Sequence, residues 1–231
     1  MLDNPVQFLK GVGPKRAQAL EHLGISTVSD LLFHFPRQWQ DRRETTDLTL
    51  PTASGVIVLK GRVLRSGGFP AGPSLAIFKA TLATGEAKVE AVWFKHLSRR
   101  FDVFAKLKAD LARGQDLWVV GRSDPSLLGI KELHVDEYYP LSDERWRLHV
   151  ERLTPIYGLS EGVSQRFLRE LVHSTLDLAA GSVPDVLPPA LLGARGLLAA
   201  PQAVRAIHFP GSYAELEAAR SRLAYEELLL L

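Results

Sequence analysis

The residues best suited to chemistry lie at the end of AKVEAVWF (87–94) and just beyond it. Phe94 is followed by Lys95, Ser98, Arg99 and Arg100. An aromatic ring beside cations suits nucleic acid: a base stacks on the ring for ~1–3 kcal/mol, and the charges hold the backbone. From 95 to 110 five cations (Lys95, Arg99, Arg100, Lys106, Lys108) face two acids (Asp102, Asp110), a local +3. Successive strand residues point to opposite faces. In AKVEAVWF one face carries Val89, Ala91 and Trp93, and the other carries Lys88, Glu90, Val92 and Phe94. The face with two charges is the wetter one, so Trp93 reads as core and Phe94 as exposed. A second arrangement is open to Phe94, in which it curls under the following segment and packs with Phe101 or Phe104.

LKGVGPKRAQAL (9–20) is the other candidate. Gly11 and Gly13 between two helical patterns suit a helix-hairpin-helix turn. Glycines let the backbone approach a phosphate, and amides at the next helix start donate to it. Lys15 and Arg16 would add charge. The same residues also suit a plain turn between helices, with Pro14 at the first helical position.

Other chemistry is poorly supported. Cysteine is absent, which excludes disulfides, thiolate metal sites and Cys nucleophiles. No G-x-x-x-x-G-K-[ST] motif occurs, and GVGPKR lacks the spacing of a phosphate loop. The seven histidines show no metal-ligand spacing. This segment is not expected to be catalytic alone and is expected to hold no cofactor. Net charge is only +2, so an argument for nucleic acid must be local. No secretory signal pattern and no run of ~18 apolar residues occurs, which points to the cytoplasm and away from membranes.

The elements that must position these residues fall into three segments. Residues 1–46 read as an N-terminal helical segment, with Leu9, Val12, Leu20, Leu23, Val28, Leu31 and Leu32 at helical intervals. Residues 47–145 read as a β-rich domain. Strands are expected at 56–66, 74–83, 87–94, 116–123 and 130–140, with a GGFPAGP turn after the first and a helical piece at 96–112. Three strands, a helix and two strands is the element order of an OB-fold, a five-stranded Greek-key barrel. The expected class is therefore α+β. Residues 146–231 read as a helical linker region. It holds a loop, LTPIYGLSEGVSQ, that caps a helix through Ser164, and a Pro-rich connector, SVPDVLPPALLGARG. A last helix begins at Ser212 with Glu215 in a capping box. That helix ends in four leucines, an apolar run that would need cover. The expectation is that the chain is cut inside this helix, and that a further domain covers the leucines.

FLKGVGPKRAQALEHLGISTVSDLLFHFPRQWQDR, VWF, LTPIYGLSEGVSQRFLRELV and AIHFPGSYAELEAARSRLAYEELLLL, in this order, resemble the N-terminal part of RecG-type ATP-dependent DNA helicases. The resemblance spans nearly the whole chain. It implies the OB-fold wedge of a bacterial branch-migration enzyme that binds stalled replication forks and Holliday junctions. It implies a C-terminal helicase motor in the same chain, using ATP and Mg, with single-strand-binding protein as a further candidate partner. It implies that Phe94 stacks on bases at the branch point. Ser98 stands where the family often has a second aromatic, usually Tyr; Phe101, or Arg99 and Arg100, could serve instead. Two other readings stay open on the residues: a single-strand DNA- or RNA-binding OB module, and an OB-fold used for protein contacts.

Overall fold

The computed structural model describes residues 1–48, 55–98, 101–123 and 132–230. It divides into two compact units, one formed by 1–41 with 151–231 and the other by 42–150.

The second unit is a closed barrel of five strands: β2 (Ile57–Pro70), β3 (Leu75–Thr84), β4 (Ala87–His96), β5 (Asp116–Arg122) and β6 (Glu132–Pro140). The first strand of the chain, β1 (Gln38–Asp41), belongs to the other unit. Around the barrel the order is β2-β3-β4-β6-β5, and β5 closes back on β2. The β4–β6 pairing is parallel and all others are antiparallel. A short helix, α3 (Ala105–Asp110), joins β4 to β5. This is the OB-fold order expected from the sequence.

Inward residues alternate along the strands as the pleat requires. Leu59, Phe78, Leu82, Val89, Ala91, Trp93, Leu117, Val119 and Leu133 form the core with Phe104, Leu107 and Leu111 from the α3 region. Two boundaries differ from expectation. β2 does not turn at Gly67 but runs on to Pro70, because β3 pairs with it through Phe69 and Pro70. A Cβ on Gly68 would lie 2.7 Å from the Phe104 ring, so the missing side chain is what admits Phe104. The helical piece expected at 96–112 is only α3, because the ladder persists to His96 and the Leu97 amide still donates to the Ser74 carbonyl (2.8 Å).

One side of the barrel is covered. Trp118 and Val120, facing away from the core on β5, pack with Val58, Tyr139, Trp146 and Val150. This is why DLWVVGR is apolar on both faces. Below them Arg42 is enclosed, bonded to Glu137 (3.0 Å) and to the His149 carbonyl (3.1 Å). Gly121 marks a bulge where β5 crosses β6, and a Cβ there would sit 2.1 Å from the His134 carbonyl oxygen.

The first unit is mainly helical. It contains α1 (Pro14–Glu21), α2 (Val28–Phe33), α4 (Gln165–Ala179), α5 (Pro189–Arg195), α6 (Ala200–His208) and α7 (Tyr213–Leu230). Leu20, Ile25, Leu31 and Leu32 share one core with Leu168, Leu171, Val172 and Leu176. The caps expected at Ser164 and Ser212 are present: their hydroxyls accept from the Phe167 (3.2 Å) and Glu215 (3.1 Å) amides. Two strands lie where helix or loop was expected. β1 and β7 (Leu153–Ile156) form an antiparallel pair. Four residues are too few for a period-2 pattern to stand out.

His208 is buried in this unit. Its Nε2–H donates to the Leu32 carbonyl (2.8 Å) and its Nδ1 accepts from the Tyr157 hydroxyl (2.9 Å). Burial pushes its pKa down to about 4. Between pH 6.5 and 4 the unfolded chain takes up a proton at this residue and the folded chain does not. Stability is therefore lost as pH falls through that window, by about 3 kcal/mol from this residue. Urea unfolding at pH 7 and pH 4.5 measures the loss, and His208→Gln should show a smaller difference between the two. Gly121→Ala should destabilise the barrel by about 1–3 kcal/mol or more, since the obstacle is backbone. Urea midpoints of the two proteins measure it.

Candidate nucleic-acid interface

The barrel surface formed by β2, β3 and β4 is the counterpart of the covered side. Residues directly opposite on neighbouring strands point to the same face. Strand register therefore orders this outer surface into rows across the strands. One row is Phe69, Ile77 and Phe94. The next is Gly67, Lys79, Val92 and His134, and the third is Arg65, Thr81, Glu90 and Glu132.

Phe94 stands outward as alternation requires, because Val89, Ala91 and Trp93 are buried on the other face. Its ring is 50% exposed and meets the His134 ring edge-on at 5.3 Å. The other arrangement open from the sequence, Phe94 packed on Phe104, is not adopted: Phe104 faces the core against Phe78 at 5.5 Å. Phe101 is exposed at the surface.

The charge is unevenly spread. Lys79 bridges Glu90 and Glu132, both at 3.1 Å, which raises its own pKa and holds the Glu132 carboxyl below its usual range. Arg65 stands in the same row, on the Thr81 hydroxyl (3.0 Å), so two cations there balance the two acids. In α3 the lysines are matched, Lys106 with Asp110 (2.5 Å) and Lys108 with Asp102 (2.8 Å). The local +3 therefore concentrates before α3. Lys95 is exposed beside Phe94, with no ion-pair partner among the described residues. Ser98 is half-buried, and Arg99 and Arg100 lie outside the described residues.

The stretch around Gly11 has a different form from a full helix-hairpin-helix. Before it stands only a single 3-10 turn, Val6–Phe8, since Pro5 and Leu9 are extended on either side. Gly11 adopts φ +89°, which glycine tolerates, and Pro14 opens α1 after Gly13. Gly11, Gly13, Lys15 and Arg16 are all exposed. The Arg16 guanidinium donates to the Gly11 carbonyl (2.7 Å) and lies 4.3 Å over the Phe167 ring. Arg16 is thus the clasp of the turn.

The sequence pattern passed over Phe69 and His134. GGFPAGP reads as a turn, although Arg65, Gly67 and Phe69 continue a period of two. Histidine spacing speaks only to metal ligation, so it gives no sign that His134 is a ring beside Phe94.

A closed barrel in this strand order, with one covered side and one aromatic, exposed side, defines the OB-fold class of module. The chain belongs to the RecG wedge domain family, whose model matches residues 5–179. It is 33% identical over 231 residues to the ATP-dependent DNA helicase RecG of Thermotoga maritima, covering 100% of this chain and 28% of that protein. The RecG of Escherichia coli strain K12 is 28% identical over 233 residues, covering 97% of this chain and 32% of that protein. The fold is similar to a solved structure of RecG bound to a three-way DNA junction, with a TM-score of 0.78 and 31% identity, over 100% of this chain and 30% of that one. The chain thus spans about a third or less of these relatives' length. Among the described residues no helix is long and apolar enough to cross a membrane.

Proposed function

We propose that this chain is the junction-binding wedge of an ATP-dependent branch-migration helicase that acts on stalled forks and Holliday junctions in recombination and repair. The observation that carries the reading is Phe94: half exposed, at the end of β4, on a closed barrel beside Lys95. Membership of the RecG wedge domain family and likeness to a junction-bound RecG support it.

In this reading the barrel is a rigid support, not a catalyst. It holds the Phe94 ring where two parental strands diverge. Unstacking a base step costs about a few kcal/mol, and stacking on the ring offsets part of it. Lys95, Arg99 and Arg100 hold phosphates near the ring, and Ser98 lies next to them. Gly11, Gly13, Lys15 and Arg16 form a second phosphate contact on the helical unit. ATP and Mg act in the motor domains of the longer protein, which works in the cytoplasm with single-strand-binding protein as a partner.

Phe94→Ala should leave the thermal midpoint unchanged and weaken binding to a forked duplex by about 1–3 kcal/mol. Fluorescence anisotropy reads this, and unchanged fork affinity sinks the stacking role. Plain single strands bound as tightly as forks would instead favour a single-strand-binding module. Lys95→Ala should reduce the slope of log affinity against log salt by about one phosphate contact. A slope equal to that of the parent chain would remove Lys95 from the interface.

A further inference from the structure

The outer row of the barrel contains a second ring. Phe69 on β2, Ile77 on β3 and Phe94 on β4 are direct cross-strand neighbours. Phe69 is 47% exposed and Phe94 50%. Ile77 lies between them, half-buried. At about 4.8 Å per strand spacing, the two ring-bearing positions are about 10 Å apart.

Three features fix this arrangement. Phe69 is held in the ladder, paired with Ile77, and is not on a loop. Gly68, its neighbour, faces inward over the Phe104 ring, so a shift of this stretch would collide with a core residue. Beside Phe69 in the next row is Gly67, with nothing within 4 Å of where a Cβ would be, so the ring has open approach from that side.

The placement of the rings sets the direction. Glu90 and Glu132, two rows away, are matched by Lys79 between them and by Arg65 in their own row. Lys95 follows Phe94 at the opposite, apolar end. An unpaired strand stacks its bases on exposed rings, which on this surface stand in the row of Phe69 and Phe94. It would therefore cross the strands along Phe69, Ile77 and Phe94 and would not run lengthwise down the barrel.

We infer that Phe69 is a second base-stacking residue, which with Phe94 forms a strip that holds an unpaired DNA strand leaving the branch point. This rests on the junction-binding reading above. It also gives the chain a two-ring contact by a route other than the position of Ser98. Bases have a π-face whatever their identity, so the contact is independent of sequence.

The test is anisotropy of the chain with two three-way junctions, one with a single-stranded arm and one with all arms duplex. Phe69→Ala should weaken binding to the first by about 10-fold and leave the second within twofold. Phe69→Leu keeps apolar bulk without the π-face, guards against loss of the fold, and should show most of the same loss. Phe69→Trp should retain affinity. If Phe69→Ala and Phe69→Leu bind the single-stranded-arm junction like the parent chain while Phe94→Ala does not, the inference fails and the junction reading stands. Equal loss on both junctions also overturns it, since the role would not be in holding an unpaired strand. If Phe94→Ala too is without effect on either junction, the junction reading itself falls.

Discussion

The interface depends on the anchoring of Trp93. Val89, Ala91 and Trp93 are buried in the barrel core, with Trp93 edge-on to Phe78 (6.1 Å) and to Tyr138 (5.8 Å). A strand has a period of two, so burying one set of residues exposes the next. With Trp93 inside, Phe94 has no choice of face. A slip of one residue in β4 would put Glu90 and Phe94 into the core and Trp93 into water. Hydrophobic burial of one set of side chains thus positions a residue that itself makes few contacts.

The rest of the barrel separates a closed side from an open one. Trp118, Val120, Tyr139, Trp146 and Val150 cover one side, with Arg42 and Glu137 paired beneath. On the open side the polar groups neutralise each other where Lys79 meets Glu90 and Glu132, and in α3 where each lysine has its carboxylate. Such exposed pairs add little stability. Their larger consequence is for the field: with these charges matched, what stands out on this surface is the aromatic row with Lys95 next to it in the chain.

Much of the fold was legible in the sequence because the barrel strands are long and β3 and most of β4 alternate. AKVEAVWF assigns Trp93 and Phe94 to opposite faces by inspection, and the strand–helix order names the barrel. Ser164 and Ser212 announced their helices by side-chain chemistry. What was not legible depends on partners distant in sequence. Gly67 and Gly68 look like a turn until β3 and Phe104 are in place. β1 and β7 are each four residues long, and their pairing spans over a hundred residues. The +3 around Phe94 was countable, but its concentration at Lys95 and beyond required knowing that Lys106 and Lys108 are paired. Phe69 was hidden for the same reason as the end of β2.

The most direct test is a structure of this chain with a three-way DNA junction. The account predicts the branch point against the β2–β3–β4 surface, a base stacked on the Phe94 ring, and the backbone near Lys95. DNA lying on the Trp118–Trp146 side, or on the helical unit alone with Phe94 left in solvent, would contradict it.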